Sequence, residues 1–276
     1  MSAMRQNKSV IRRIAGFTII EILIAVLLAG LITSAAMALY LTQRKQLFVQ
    51  EEVSDMQASI RAAMAELSTR IRMAGYNVPD GIQAISASNT NPDTITLVYD
   101  SDLLQGVQIE HAMPQPSAEL RCDGHNLEGL NEGDWAFIYD PNTKTGEFFQ
   151  VTAVQYSDHI QHNTMPLSKA YPAGSKVMKL NRYKYFIDRT DANHPNLMVQ
   201  YDFSAPAVYA ENITNLDFRY ILSSGAMVDV PPDAYMIREV STTVQARNDK
   251  PDQDSASPYR TRSLNARVKV RNLGPN

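Results

Sequence analysis

A chain of 276 residues with 44% hydrophobic residues has room for a membrane-length helix and a soluble domain of about 200 residues, large enough to bury a core without disulfides or metals. Cys122 is the only cysteine, which excludes an intramolecular disulfide. The net charge of −3 argues against a general nucleic-acid binder, which needs clustered Lys and Arg to neutralise phosphates.

The first stretch to stand out combines a basic leader, a small-residue step and an apolar run. Arg5, Lys8, Arg12 and Arg13 precede Ala15-Gly16 with no acid among them. Phe17-Thr18-Ile19-Ile20-Glu21 follows, and Ile22 to Ile32 is wholly apolar apart from Gly30. A carboxylate at the edge of such a run is costly in lipid and marks a function with a waiting partner. Ala15-Gly16 is open to a protease. A cut after Gly16 leaves Phe17 as a positively charged amino terminus, and a neighbouring copy's ammonium then neutralises Glu21 in a low dielectric, where such a pair is strong. The cut also removes four positive charges and no negative one, taking the net charge from −3 to −7. As a helix, Phe17 to Leu41 spans roughly 37 Å, enough to cross a bilayer. Two other readings compete. Ile22–Ile32 has the length of a secretory h-region with Ala36-Met37-Ala38 as its cleavage site, or the run is a plain signal anchor. Glu21, which breaks the apolar start, and a helical pattern that continues past Ala38 weigh against the signal peptide.

No proline occurs from Phe17 to Val78. From Val49 the apolar residues fall at Val49, Val53, Met56, Ile60, Ala63 or Met64, Leu67, Ile71 and Ala74, one stripe of an α-helix. Glu51, Glu52, Asp55, Arg61, Glu66 and Arg70 occupy the other face. Gly75 is a C-cap signal with Pro79 shortly after, and Gly30 and Thr33-Ser34 are the places where the helix can bend. The stripe is short and its outer charges irregular, so packing on a sheet is expected rather than a coiled coil.

After Pro79, Gly81 to Asp93 reads as loop. Short β-type runs follow at Thr94–Tyr99, Gly106–His111, Asp134–Tyr139, Glu147–Tyr156, Lys176–Asp188, Leu197–Phe203, Ile213–Ile221, Glu239–Arg247 and Leu264–Arg271, rich in β-branched and aromatic residues and separated by turn residues. Asp140-Pro141-Asn142-Thr143-Lys144-Thr145-Gly146 is a strong turn signal, so Asp134–Tyr156 is expected to form a hairpin. Asn248–Ser263 reads as an exposed loop. The fold class is therefore α+β: a long N-terminal helix, half membrane-like and half amphipathic, packed on a mainly antiparallel β-rich domain. Its segments are 1–16 (leader), 17–41 (membrane or filament-core helix), 42–75 (amphipathic half) and 76–276 (globular head).

Catalytic motifs are missing. There is no HExxH, cysteine-rich zinc pattern, GxSxG or phosphate loop, and no cofactor, metal ligand or catalytic residue is assigned. The Asp140–Gly146 turn superficially resembles a calcium loop, but Lys144 sits where a liganding oxygen belongs, so turn chemistry is the reading. His159 and His162 are the closest histidines, and their spacing puts them on opposite faces of a strand. Cys122 reads as a half-buried strand residue. Tyr183, Tyr185, Tyr201, Tyr209 and Tyr220 read as half-buried sheet positions rather than a binding face. Arg267, Lys269 and Arg271 are expected to share one strand face.

Gly16-Phe17-Thr18-Ile19-Ile20-Glu21, after a basic leader and before an apolar helix, resembles the processing signal of type IV prepilins and pseudopilins, with Ile19 in place of the usual Leu. Leu67 to Tyr76, Glu132-Gly133-Asp134-Trp135 with Glu147 to Thr152, Asn212 to Tyr220 and Val268 to Asn272 resemble PilW-type minor pilins in the same order. The resemblance implies cleavage between Gly16 and Phe17 by a prepilin peptidase, N-methylation of Phe17, and docking through Glu21 in membrane and filament. It implies a non-enzymatic subunit that primes a type IV pilus. Its partners would be other minor and major pilins, a tip adhesin and an inner-membrane assembly platform; nucleic acid is not among them. It would be a single-pass inner-membrane protein with a periplasmic head before assembly, and at the pilus or cell surface afterwards. A minor pseudopilin of a type II secretion system would share the signal, the helix and the filament-tip role and differ in the machine it serves, and a secreted binding protein cut after Ala38 is the alternative of another class.

Overall fold

The structure is a computed structural model that describes residues 16–251 and 257–273. The leader expected over 1–16, apart from Gly16, lies outside the described residues. One long helix, α1 (Ile19–Met73), opens the fold, and the chain divides into two compact units at Glu51/Glu52.

In the first unit the helix runs unbroken through Gly30 and Thr33-Ser34, the places where it was free to bend. The hydroxyls of this stretch are satisfied by their own helix: Thr33 Oγ1 donates to Ala29 O at 2.7 Å, Ser34 Oγ to Leu31 O at 2.9 Å and Thr42 Oγ1 to Ala38 O at 2.9 Å. That closure lets polar side chains sit in an apolar helix without an unmet donor.

In the second unit Met56, Ile60, Ala63, Met64, Leu67 and Ile71 are buried, as their spacing of three and four requires. The helix gives way to a turn at Gly75, whose φ of +84° suits glycine. A β-carbon there would lie 2.9 Å from Asn272 O and 2.6 Å from Leu273 Cδ2. Asn272 Nδ2 in turn lies 3.2 Å from Arg72 O and 3.3 Å from Met73 O, closing carbonyls that the helix end leaves open.

The strands are β1 (Ile85–Ser88), β2 (Thr94–Asp100), β3 (Leu120–Arg121), β4 (Trp135–Asp140), β5 (Thr145–Gln150), β6 (Ala153–Gln155), β7 (His159–Gln161), β8 (Lys176–Met178), β9 (Leu180–Asp188), β10 (Asn196–Tyr201), β11 (Ala207–Ala210), β12 (Ile213–Leu222), β13 (Met227–Val228), β14 (Ile237–Arg247) and β15 (Thr261–Lys269). They form four sheets in the orders β1-β2-β9-β10-β11, β13-β12-β14-β15, β3-β7-β6 and β5-β4-β8, with every pairing antiparallel. The α+β architecture is the one expected. The first two sheets share the main core with the helix stripe through Ile95, Leu97, Tyr185, Phe218, Val240 and Val244. The excursion between β2 and β9 builds a second core around Ile109, Leu120, Ile138, Phe149, Ile160 and Val177. Strand β4 serves two clusters: Ala136 and Ile138 face the second core, while Phe137 and Tyr139 face Val98 and Leu180. A strand covered on both sides reads as a continuous apolar run, which Trp135 to Tyr139 is.

Several local expectations are corrected. Ile85–Ser88, read as loop, pairs with β2. Gly106–His111 is not a strand: it follows β8 through one bridge, Gln108 to Lys176, and bonds from Ile109 N to Ser175 O and Val177 N to Val107 O. The run Glu147–Tyr156 breaks after β5, because Val151 still bonds to Asp134 while Thr152 N has turned to Gln161 O. The run Lys176–Asp188 breaks at Lys179, whose buried ammonium donates to Trp135 O at 2.8 Å between Asp134 (3.6 Å) and Asp202 (3.8 Å). Glu66 and Arg70, placed on the outer helix face, instead point at the first sheet. Glu66 Oε1 accepts from Arg70 Nε at 2.8 Å and from the Tyr185 hydroxyl at 2.7 Å, and the Arg70 guanidinium lies 4.0 Å above the Tyr183 ring.

Candidate functional site: the helix start and its exposed apolar surface

Gly16, Phe17 and Thr18 precede the helix, and Thr18 is its N-cap residue. Ile22 N donates to Thr18 O at 3.2 Å, the first turn of the ladder. Glu21 N donates to Thr18 Oγ1 at 3.3 Å, and Glu21 Oε2 accepts from Thr18 N at 2.9 Å and Thr18 Oγ1 at 2.8 Å. This reciprocal pairing is a capping box, in which a threonine and a glutamate three residues on satisfy two donors that every helix start leaves open. The Thr18-Ile19-Ile20-Glu21 spacing is itself the capping-box signature, a signal that sequence reasoning passed over in treating Glu21 as an isolated carboxylate. A negative charge in the first turn is also favoured by the helix dipole.

From this cap the helix presents apolar side chains on all sides. Phe17 is 84% exposed, and Ile19, Leu23, Leu27, Leu31, Leu39 and Leu41 are all more than half exposed. An 18-residue stretch of the helix is strongly apolar, and none of that stretch is buried. It is the one helix among the described residues long and apolar enough to cross a membrane. Soluble proteins rarely leave an apolar surface of this extent in water. Arg44 and Lys45 are the first cations after it, where charged heads reach an interface. Among the described residues, nothing lies within 4 Å of the position a β-carbon would take at Gly16.

The head distributes the other candidate residues without assembling a catalytic set from them. His162 is buried, with Nε2 2.7 Å from Ala118 O and Nδ1 3.2 Å from Met165 O. His159 instead joins Asp123, 3.0 Å away. Cys122, expected half-buried, is fully buried in the second core just after β3. Burial, with Asp123, Asp158 and Glu110 nearby, pushes its thiol up to about 12, so it is an inert neutral side chain. The Asp140 turn forms within the expected hairpin, and Lys169 fills it: Nζ lies 3.0 Å from Asp140 Oδ2, Thr143 Oγ1 and Thr145 Oγ1. Tyr185 and Tyr220 are core residues, whereas Tyr201 and Tyr209 are each 39% exposed. Arg267, Lys269 and Arg271 share the exposed face at edge strand β15 while Val268 and Val270 point inward. A polar cleft of ≈ 840 Å³ runs past Asp100, Asp102, Lys176 and Arg271. Its Asp100 is committed to Asn77 Nδ2 and to Asp102 N.

No protein-family model matches the chain, and no curated protein matches it.

Proposed function

We propose that this chain is an assembly subunit of a type IV pilus, a minor pilin of the PilW type that docks through its N-terminal helix. One observation carries the reading: an exposed apolar helical surface from Phe17 to Leu41 follows directly on Gly16 and holds a single carboxylate in its first turn. The basic leader holds the amino-terminal side in the cytoplasm and places the head in the periplasm. A prepilin peptidase cuts after Gly16 and methylates Phe17. The new ammonium of one subunit meets Glu21 of the next, while the helix exchanges lipid for neighbouring pilin helices. The chain is a substrate of enzymes in this scheme, and it acts by binding pilins, an assembly platform and a tip adhesin.

The capping box gives Glu21 a second task that the charge-pairing role must be separated from. N-terminal sequencing and intact mass of the mature protein test the processing step. A methylated start at Phe17 is expected, and a start at Leu39 overturns it. Gly16→Val should leave uncut precursor in the membrane. Glu21→Gln keeps a capping side chain and removes the charge, so it should insert and be cut normally yet assemble few pili. Normal piliation with this variant would refute the charge pairing.

A further inference from the structure

Strands β3 and β7 pair so that Arg121 faces His159, and this brings together residues that sequence separates. Asp123 lies just beyond β3, and Asp158 immediately precedes His159. His159 Nε2 is 3.0 Å from Asp123 Oδ1 and 3.7 Å from Asp158 Oδ1, and the three groups offer ligand atoms all within 4.8 Å of one another. In a tetrahedral zinc site with bonds near 2.0 Å, neighbouring ligand atoms stand about 3.3 Å apart. The two measured separations bracket that value.

The opposite side of each group is held by the fold. Asp158 Oδ2 accepts from Gly124 N at 3.3 Å. Asp123 Oδ2 takes Arg121 Nη2 at 3.2 Å and lies 3.0 Å from His111 Nε2. On the far side of the imidazole, Nδ1 is buried and makes no well-formed hydrogen bond, yet Glu119 Oε1 is 3.3 Å from it. Glu119 is itself fixed by Gln161 Nε2 at 2.7 Å. A carboxylate behind the second nitrogen of a ligating histidine is the usual device for presenting the other nitrogen to a metal. Three carboxylates, Asp123, Asp158 and Glu119, outnumber the one guanidinium, Arg121, so the cluster carries an excess of negative charge that a divalent ion can offset.

We propose that His159, Asp123 and Asp158 bind a first-row divalent cation of the zinc class, with Glu119 positioning the imidazole. One nitrogen and two carboxylate oxygens suit Zn²⁺ or its neighbours better than Ca²⁺, which takes more oxygen ligands and longer bonds. The site belongs to the head and is independent of the pilus reading.

The test uses the full chain in detergent, stripped with chelator and titrated with Zn²⁺ alone, by calorimetry and by metal analysis after dialysis. One Zn²⁺ per chain is expected. Asp158→Asn and His159→Gln should each abolish saturable binding, and Glu119→Gln, which removes no ligand, should weaken it by about 10–100-fold. His194→Gln, at a histidine paired with Asp191, should bind as wild type. Circular dichroism of the stripped proteins identifies a variant that fails to fold, and Glu119→Gln and Asp158→Asn then carry the test. No saturable binding by the wild type, or unchanged binding in folded Asp158→Asn, overturns the proposal.

Discussion

Residues Ile19–Leu41 and Glu52–Met73 belong to the same helix and meet opposite conditions. The first stretch is apolar on every side and exposed, and its one carboxylate is closed against its own cap. The second is apolar on one stripe, and the head closes that stripe. Its charges also find partners in the head: Glu52 Oε2 accepts from Asp249 N and Lys250 N, and Glu66 holds Tyr185. The difference shows where each stretch gets its binding surface. The second is completed by its own chain, so damage there is read as lost folding. The first is left exposed by its own chain, so under the proposed function damage there is read as lost insertion or assembly. Leu67→Ala is the largest test of this contrast: Leu67 is fully buried, and truncation should cost about 2–5 kcal/mol in denaturant unfolding of the head. Leu27→Ala, at an exposed position, should leave that transition within about 0.5 kcal/mol. Equal costs at the two sites would erase the distinction.

Two glycines sharpen the same contrast at smaller scale. Gly75 needs its positive φ and has Asn272 O where a β-carbon would go, whereas Gly30 has an ordinary helical φ and nothing within 4 Å. Gly75→Ala should destabilise the head by about 1–3 kcal/mol. Gly30→Ala should leave the head unchanged and favour the helix by up to about 1 kcal/mol. Thermal unfolding, together with helicity in detergent, separates the two effects.

How much of this was legible in the sequence follows the range of the interactions involved. The helix stripe from Met56 to Ala74 rests on steps of three and four, so periodicity located it. Strand β14, with its alternating Val240, Thr242, Val244 and Ala246, was equally plain. Ile85–Ser88 was hidden because one isoleucine among Ser, Ala and Asn carries little pattern, and only pairing with β2 makes the stretch a strand. The inward turn of Glu66 and Arg70 depends on Tyr99, Tyr183 and Tyr185, which local spacing does not reveal. The candidate cation cluster was hidden most deeply. Asp123 and His159 meet through the β3–β7 pairing, and the two-residue β3 leaves almost no trace in the sequence. The helix start was half legible, since Glu21 stood out as a charge while its bond to Thr18 went unnoticed.

The Glu66–Tyr185 contact gives the next smaller effect. Burial first, and then Glu66, push the Tyr185 hydroxyl far above its usual range, so it stays protonated and donates. Tyr185→Phe should cost about 1 kcal/mol, the net value of one such bond, because Arg70 still satisfies Glu66. Thr18→Ala, which removes the cap of the other stretch, should cost a similar amount in helicity and nothing in head unfolding.

The smallest expected effect concerns acid. Asp140 is buried in its turn, and Lys169 above all, against the cost of burial and aided by Thr143 and Asn142, lowers its carboxyl to about 2. A carboxyl lowered on folding contributes its full stabilisation above its ordinary value, and the contribution disappears as pH falls through the folded value. The window is therefore from about 4 down to about 2. Lys169→Met should lie below wild type in stability at neutral pH, and the gap should narrow as both are acidified through that window. Because the pair lies wholly within the head, Glu21→Gln should leave the narrowing unchanged. A gap that is constant with pH would mean that Lys169 contributes through its bonds to Thr143 and Thr145 and its place over the Tyr171 ring, 4.9 Å from Nζ, rather than through the Asp140 charge. The ion pair of Asp140 with Lys169 would then add nothing to the head beyond the bonds that Thr143 and Asn142 already give Asp140, and the contrast between the head and the helix start would rest on packing alone.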